Sequence, residues 1–232
     1  MTEEIDLITF DAGGTLFDMA PTRDEVFVAR LSDRFKDLEE ARVVAALRKA
    51  DRTFDQEFAA QDGKNEDSFW RRYDEFVFRE LGIRDDSGHM HVELSAAFDE
   101  LIPKVESWVD FPETKLILER LGRRDFKLGV ISNATDLTNR VLENLGLSKY
   151  LDFVIVSAEV GYRKPTPEIF RIAGRRGGAP MNRSLHIGDK YAVDVVGASR
   201  AGMNAVLLDR DGIYDDLDCI RVRGLSALAA FV

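Results

Sequence analysis

Four short stretches carry the residue types that chemistry needs, each at the end of an apolar run or beside a turn. The first is Ile8-Thr9-Phe10-Asp11-Ala12-Gly13-Gly14-Thr15, in which an apolar run ends on one carboxylate followed by two glycines. Such glycines let the backbone turn sharply and come close to whatever the carboxylate touches. The second is Ser132-Asn133, after Leu128-Gly129-Val130-Ile131; the third is Lys164 in Gly161-Tyr162-Arg163-Lys164-Pro165; the fourth is Gly188-Asp189-Lys190-Tyr191-Ala192-Val193-Asp194. Each alone has an ordinary structural explanation: an Asx-type turn, a helix cap, a surface turn, an acidic helix start that complements the helix dipole. Brought to one place, carboxylates, an ammonium and a hydroxyl are groups that hold hard cations, bind oxyanions or attack electrophilic centres.

The elements around these stretches predict that they do meet. Ile5 to Phe10 reads as a buried strand ending at Asp11, and Lys127 to Asn133, Phe153 to Val156, Ser184 to Ile187 and Ala205 to Leu208 read as further strands. Between them lie helices, one closing at Gly122, one carrying Leu137, Val141, Leu142 and Leu145 before Gly146, and one opening at Pro167. Alternating strand and helix specifies an α/β fold, a doubly wound (Rossmann-like) parallel sheet, because parallel neighbours need crossover connections. Ligands of such sheets bind outside the strands' carboxyl ends, where Asp11, Ser132, Asn133 and Asp189 all fall.

From about Pro21 to Leu101 strand-like runs disappear and apolar residues recur at helical spacing. Val44, Leu47, Phe54 and Phe58 form one expected face, interrupted by Asp51, and Trp70, Tyr73, Val77 and Leu81 form another before Gly82. Residues 61–65 and 85–88 read as turns, and His89 and His91 as exposed loop histidines. The chain thus divides into residues 1–17 with 108–232, the sheet domain, and residues 18–107, a helical insert after the first strand.

With 42 acidic against 32 basic residues and a net charge of −10, a general nucleic-acid binder or anionic-membrane binder is not expected. Cys219 is the single cysteine, which excludes an internal disulfide and a thiolate metal cluster. No apolar run approaches membrane-spanning length and no basic segment precedes one at the N-terminus, so the expected location is cytoplasmic. Nothing in the sequence sets the oligomeric state.

The four stretches, in this order, resemble the haloacid dehalogenase (HAD) superfamily. Its motifs are a nucleophilic Asp in hhhDxDGT, a Ser or Thr after a strand, a Lys usually before Pro, and an acidic GDxxxD or GDxxxxD. Phe10 to Thr15, Ser132, Lys164-Pro165 and Gly188 to Asp194 look like these, and the helical insert looks like the family's C1 cap, which closes over the site and selects substrate. The resemblance implies that Asp11 is the nucleophile and that Mg²⁺ is held by Asp11, the Gly13 carbonyl, Asp189 and Asp194. It also implies that Lys164 offsets the negative charge, while Ser132, Asn133 and the amides of the Gly13-Gly14 turn bind phosphate. In-line attack by Asp11 then gives an aspartyl-phosphate that water hydrolyses. The expected function is a phosphatase acting on a small phosphorylated metabolite, either a phosphomonoester or an acyl phosphate.

The sequence departs from the pattern at Gly13, where the superfamily's phosphatases carry a second Asp that protonates the leaving oxygen. True haloacid dehalogenases also lack that Asp, and their first motif looks very like this one; they are the alternative, with Asp11 attacking carbon without a metal. They replace the first acid of the fourth motif, here Asp189, and carry Tyr at the position of Phe170. A third alternative is a HAD-like binding or regulatory module. Within the insert, Arg23, Lys64, Arg71 and Arg72 are cations that could reach a substrate, although an exposed Arg or Lys on an acidic protein is usually only a solvated charge, and none is singled out.

Overall fold

The computed structural model describes residues 4–61, 66–124 and 126–230; residues 62–65 of the expected turn, with Lys64, lie outside these. Strand β1 (Leu7–Phe10) is the centre of a six-stranded parallel sheet. On one side lie β4 (Lys127–Ser132) and β5 (Phe153–Val156); on the other lie β6 (Ser184–Gly188), β7 (Asn204–Leu208) and the short β8 (Arg221–Val222). Parallel pairing sets Phe10 opposite both Val130 of β4 and Ile187 of β6, so the carboxyl ends of these three strands stand side by side. Leu7, Ile8 and Phe10 are fully buried, as in a strand covered on both faces.

Crossovers are made by helices α5 (Thr114–Gly122), α6 (Leu137–Asn144), the single turn α7 (Ser157–Val160), α8 (Pro167–Gly177) and α9 (Val196–Ala201). Pro167 opens α8, where the missing N–H costs nothing, and Gly178 ends it in the left-handed region. A two-stranded sheet of β2 (Phe17–Met19) and β3 (Trp108–Asp110) forms where the chain leaves and re-enters the main sheet's unit. Contacts divide the chain into two compact units, Met1–Asp18 with Trp108–Val232, and Met19–Ser107.

The second unit is helical: α1 (Arg23–Arg34), α2 (Glu40–Ala59), α3 (Glu66–Glu80) and α4 (His89–Leu101). A reciprocal capping box between Thr22 and Glu25 starts α1. Its core differs from the sequence expectation by one residue on two helices: Val43 and Phe69 are buried, whereas Val44 is half-buried and Trp70 is exposed. The interruption at Asp51 is a half-buried ionic knot, since its two oxygens accept from Arg23 at 2.6 Å each and Oδ1 also accepts from the Tyr73 hydroxyl at 2.7 Å. Arg23 is therefore committed within the helices, as is Arg72, which donates to Ser68 and Glu57. No helix among the described residues is long and apolar enough to cross a membrane.

His89 and His91 belong to the first turn of α4 and not to a loop, because the Asp85 carboxylate caps that helix by accepting from the amides of His89, Met90 and His91. His91 is buried, with Nδ1 2.6 Å from Asp74 Oδ2. Burial pushes the Asp74 carboxyl up to about 6 despite that histidine. The folded protein then keeps the Asp74 proton at pH values where the unfolded chain has lost it, so this group's contribution to stability falls as pH rises from about 4 to 6. Urea unfolding is expected to show Asp74→Asn gaining roughly 1 to 3 kcal/mol on the parent protein across that window. A constant difference would mean that Asp74 does not titrate there.

Candidate active site

Asp11 immediately follows β1 and is anchored by its own amide, which donates to Ile187 O at 2.8 Å. The turn beyond it closes on Ala12 O, which accepts from Leu16 N at 2.8 Å and Thr15 N at 3.3 Å, while Gly14 N donates to Phe17 O at 2.8 Å. The two glycines have different reasons to be there. Gly14 has φ +76°, and a Cβ on it would lie 2.7 Å from Asp189 Oδ2, so only glycine fits. A Cβ on Gly13 would meet nothing closer than the Trp108 ring at 3.9 Å, an ordinary contact. Backbone geometry does not require glycine at position 13.

Lys164 is buried at 2% exposure, and its Nζ donates to Asp11 Oδ1 and Asp194 Oδ1, each at 2.6 Å. Its backbone is clamped by Asn133, whose Oδ1 accepts from Lys164 N and whose Nδ2 donates to Lys164 O, both at 2.7 Å. The Asn133 amide, expected to help bind phosphate, uses its oxygen and one N–H to place the lysine. Ser132 ends β4 beside β1, buried, with its hydroxyl 3.2 Å from Thr138 Oγ1.

After β6, a π-helical turn over Tyr191–Val195 carries Asp194 back into the cluster. Its Oδ1 faces both Lys164 Nζ and His186 Nε2, the latter at 3.2 Å, and its Oδ2 accepts from Lys190 N at 3.0 Å. Burial works against its charge, but Lys164 and His186 outweigh burial and hold the carboxyl far below its ordinary range. Lys164 is in turn held protonated by Asp11 and Asp194 against the same burial. Burial pushes Asp189 up to about 7, opposed by Lys190 and reinforced by the charges of Asp11 and Asp194. Burial likewise raises Asp11, with Lys164 opposing.

One oxygen from each of Asp11, Asp189 and Asp194 lies within 4.8 Å of the others. All-oxygen donors in a tight anionic cluster suit Mg²⁺ or a similar hard cation. Asp194 also accepts from Lys164, His186 and Lys190 N, so it holds the lysine while lying in the cluster. The carboxylates of Asp11, Asp189 and Asp194 are the donors this cluster offers.

Two further groups were not singled out by the sequence. His186, in the middle of β6, reads as one polar residue in a core strand. Arg210 donates to Thr15 O at 3.1 Å and to Glu113 Oε1 at 2.7 Å, with its guanidinium 3.7 Å from the centre of the Phe111 ring, and so braces the loop after Asp11. A histidine two residues before Gly188-Asp189 is the one signal that could have marked the first; no local pattern marks the second.

A parallel sheet that gathers Asp11, Lys164, Asp189 and Asp194 beyond its carboxyl ends, with a helical insert after the first strand, defines a class of hydrolases. The chain belongs to the haloacid dehalogenase-like hydrolases, whose family model matches residues 5–202. It is 37% identical over 117 residues to a glyceraldehyde 3-phosphate phosphatase of Methanothermobacter thermautotrophicus, a match covering 50% of this chain and 52% of that protein. The chain thus spans about half the length of that relative. Among solved structures, a HAD phosphatase from Thermococcus onnurineus aligns with a TM-score of 0.62 and 23% identity, covering 98% of this chain and 97% of that one. A 2-haloacid dehalogenase from Pseudomonas syringae aligns with a TM-score of 0.57 and 27% identity, covering 97% of each. The fold accommodates both chemistries, so the choice between them rests on the site.

Proposed function

We propose that this chain is a Mg²⁺-dependent phosphatase of a small phosphorylated metabolite, working through an aspartyl-phosphate on Asp11. The observation that carries this reading is Asp189, a carboxylate set against Gly14 and close to Asp11, where it would complete a cation site. Phosphatase relatives support it. Mg²⁺ bound by Asp11, Asp189, Asp194 and the Gly13 carbonyl would offset the repulsion between a carboxylate and a phosphate and orient the phosphoryl group for in-line attack.

The protein's own groups do the rest. Asp11 attacks phosphorus, forming a carboxyl–phosphate bond as the bond to the leaving oxygen breaks. Lys164, fixed by the Asn133 clamp and by Asp194, favours the ionised form of Asp11 and neutralises charge that builds on the phosphoryl oxygens. The Ser132 hydroxyl and the Gly13 amide hold those oxygens, whereas the Gly14 amide, expected among them, is taken by Phe17 O. Water then hydrolyses the acyl phosphate and restores Asp11. The helical unit serves as a C1 cap that selects substrate.

A second reading, 2-haloacid dehalogenation, is favoured by Gly13, since a halide leaves without a proton. Asp189 and Phe170 stand against it. Assays of p-nitrophenyl phosphate, acyl phosphates, sugar phosphates and L-2-chloropropionate, each with Mg²⁺ and with EDTA, decide between them. Phosphate release that EDTA abolishes is expected; halide release in EDTA would establish the dehalogenase instead. Because Asp189 must lose its proton to bind a cation, Mg²⁺ affinity is expected to fall as pH drops through about 7. Calorimetric titration with Mg²⁺ at about pH 8 and about pH 6 measures this, and Asp189→Asn should bind weakly at both.

A further inference from the structure

His186 has no part in the chemistry above, and its surroundings settle which ring nitrogen carries a proton. The ring is fully buried, edge-to-face with Phe170 at 5.1 Å between centres. Nε2 faces Asp194 Oδ1 at 3.2 Å and Nδ1 faces the Thr9 hydroxyl at 2.9 Å. Asp194 is a carboxylate already accepting from an ammonium, and an ionised carboxylate can only accept, so Nε2 must donate to it. Nδ1 faces the Thr9 hydroxyl, which also donates to Leu185 O at 3.3 Å, so the ring is held at both nitrogens. The reverse arrangement would aim the Nε2 lone pair at a carboxylate oxygen.

We propose that Thr9 and His186 form a strut: the Thr9 hydroxyl orients the ring through Nδ1, and His186 Nε2–H pins Asp194 so that Asp194 holds Lys164 against Asp11. His186 and Thr9 are positioning residues that act through Asp194. The arrangement resembles the way buried hydrogen-bond partners orient the ligands of catalytic centres, where loss of one partner typically lowers activity by roughly 10- to 100-fold. Strands β1 and β6 are neighbours, with Thr9 opposite His186 in register, so the strut crosses a single rung of the sheet directly behind the site. Its effect on rate rests on the phosphatase reading; its existence does not.

The two are tested separately. With three histidines in the chain, ¹⁵N-histidine NMR of the intact protein can resolve each ring. A proton on His186 Nε2 is expected, and a neutral Nδ1–H tautomer with a bare Nε2 would overturn the strut. In Mg²⁺-dependent hydrolysis of p-nitrophenyl phosphate, His186→Met is expected to lose roughly 10- to 100-fold in kcat with KM changed less than about twofold. His186→Gln, which places an amide N–H near the Nε2 position, is expected to recover most of that loss, and Thr9→Ser to retain rate that Thr9→Val loses. Equal losses in the Gln and Met variants at matched thermal midpoints would overturn the positioning role. If the parent protein hydrolyses no phosphate ester, the phosphatase reading fails while the tautomer still decides the strut.

Discussion

Asp11→Asn is expected to abolish phosphate-ester hydrolysis, lowering kcat by about 10⁴-fold or more, in a protein that remains folded. The first half follows from chemistry: an amide oxygen is too poor a nucleophile to displace an alkoxide or phenoxide from phosphorus. The second half follows from geometry. Lys164 Nζ can still donate to the amide oxygen that the substitution leaves in place, and its other bond, to Asp194, is untouched. One negative charge leaves a cluster in which Asp11, Asp189 and Asp194 repel one another, and the carboxyl that burial had raised no longer has to ionise. The thermal midpoint in EDTA is therefore expected to stay level or rise. Mg²⁺ affinity should fall, since a neutral amide replaces one charged donor. Activity above the detection limit, with the substitution verified by mass, would place the nucleophile elsewhere and remove the basis for the aspartyl-phosphate.

The same cluster shows how far the sequence could lead. Strand ends were legible because apolar runs stop abruptly at Asp11, Ser132 and Gly188, and parallel topology then brings those ends together without any knowledge of side chains. What the sequence could not show is how polar groups divide their bonds. Asn133 and Asp194, expected as phosphate and metal ligands, each also bond Lys164, the first on its backbone and the second on its ammonium. Such assignments depend on ångström-scale choices among neighbours that residue types leave open. His186 escaped notice for a related reason: one polar residue in a buried strand has no periodicity to mark it. In the helical unit, Phe69 and Trp70 offer adjacent aromatic rings to a helix face, and a shift of one residue exchanges which is buried. There the outcome was set by packing against α2 and not by the pattern on α3 alone.

Gly13→Asp carries the opposite expectation, a gain. A general acid typically contributes ~10²–10⁴-fold, and its value is greatest for leaving groups that depart badly as anions. Hydrolysis of sugar and other alkyl phosphates should therefore rise by up to that factor, while acyl phosphates, which leave as carboxylates, should change little and p-nitrophenyl phosphate should fall between. Geometry permits the substitution, because the new Cβ meets only the edge of ordinary contact with Trp108 at 3.9 Å. The added carboxyl would stand two residues beyond Asp11, and carboxylate charge near it would raise its pKa toward the neutral range that a proton donor needs. Gly14→Asp is the control: its Cβ would fall 2.7 Å from Asp189 Oδ2 on a backbone with φ +76°, so it should displace Asp189 and weaken Mg²⁺ binding with no gain on any ester. Steady-state rates across the three leaving-group classes, with Mg²⁺ affinity measured for each variant, separate these outcomes. An alkyl-phosphate rate unchanged in a Gly13→Asp protein that still binds Mg²⁺ would mean that the reaction never waits for a proton at this position. Glycine at 13 would then mark a substrate whose leaving group needs no help, because the fold itself leaves room for the acid.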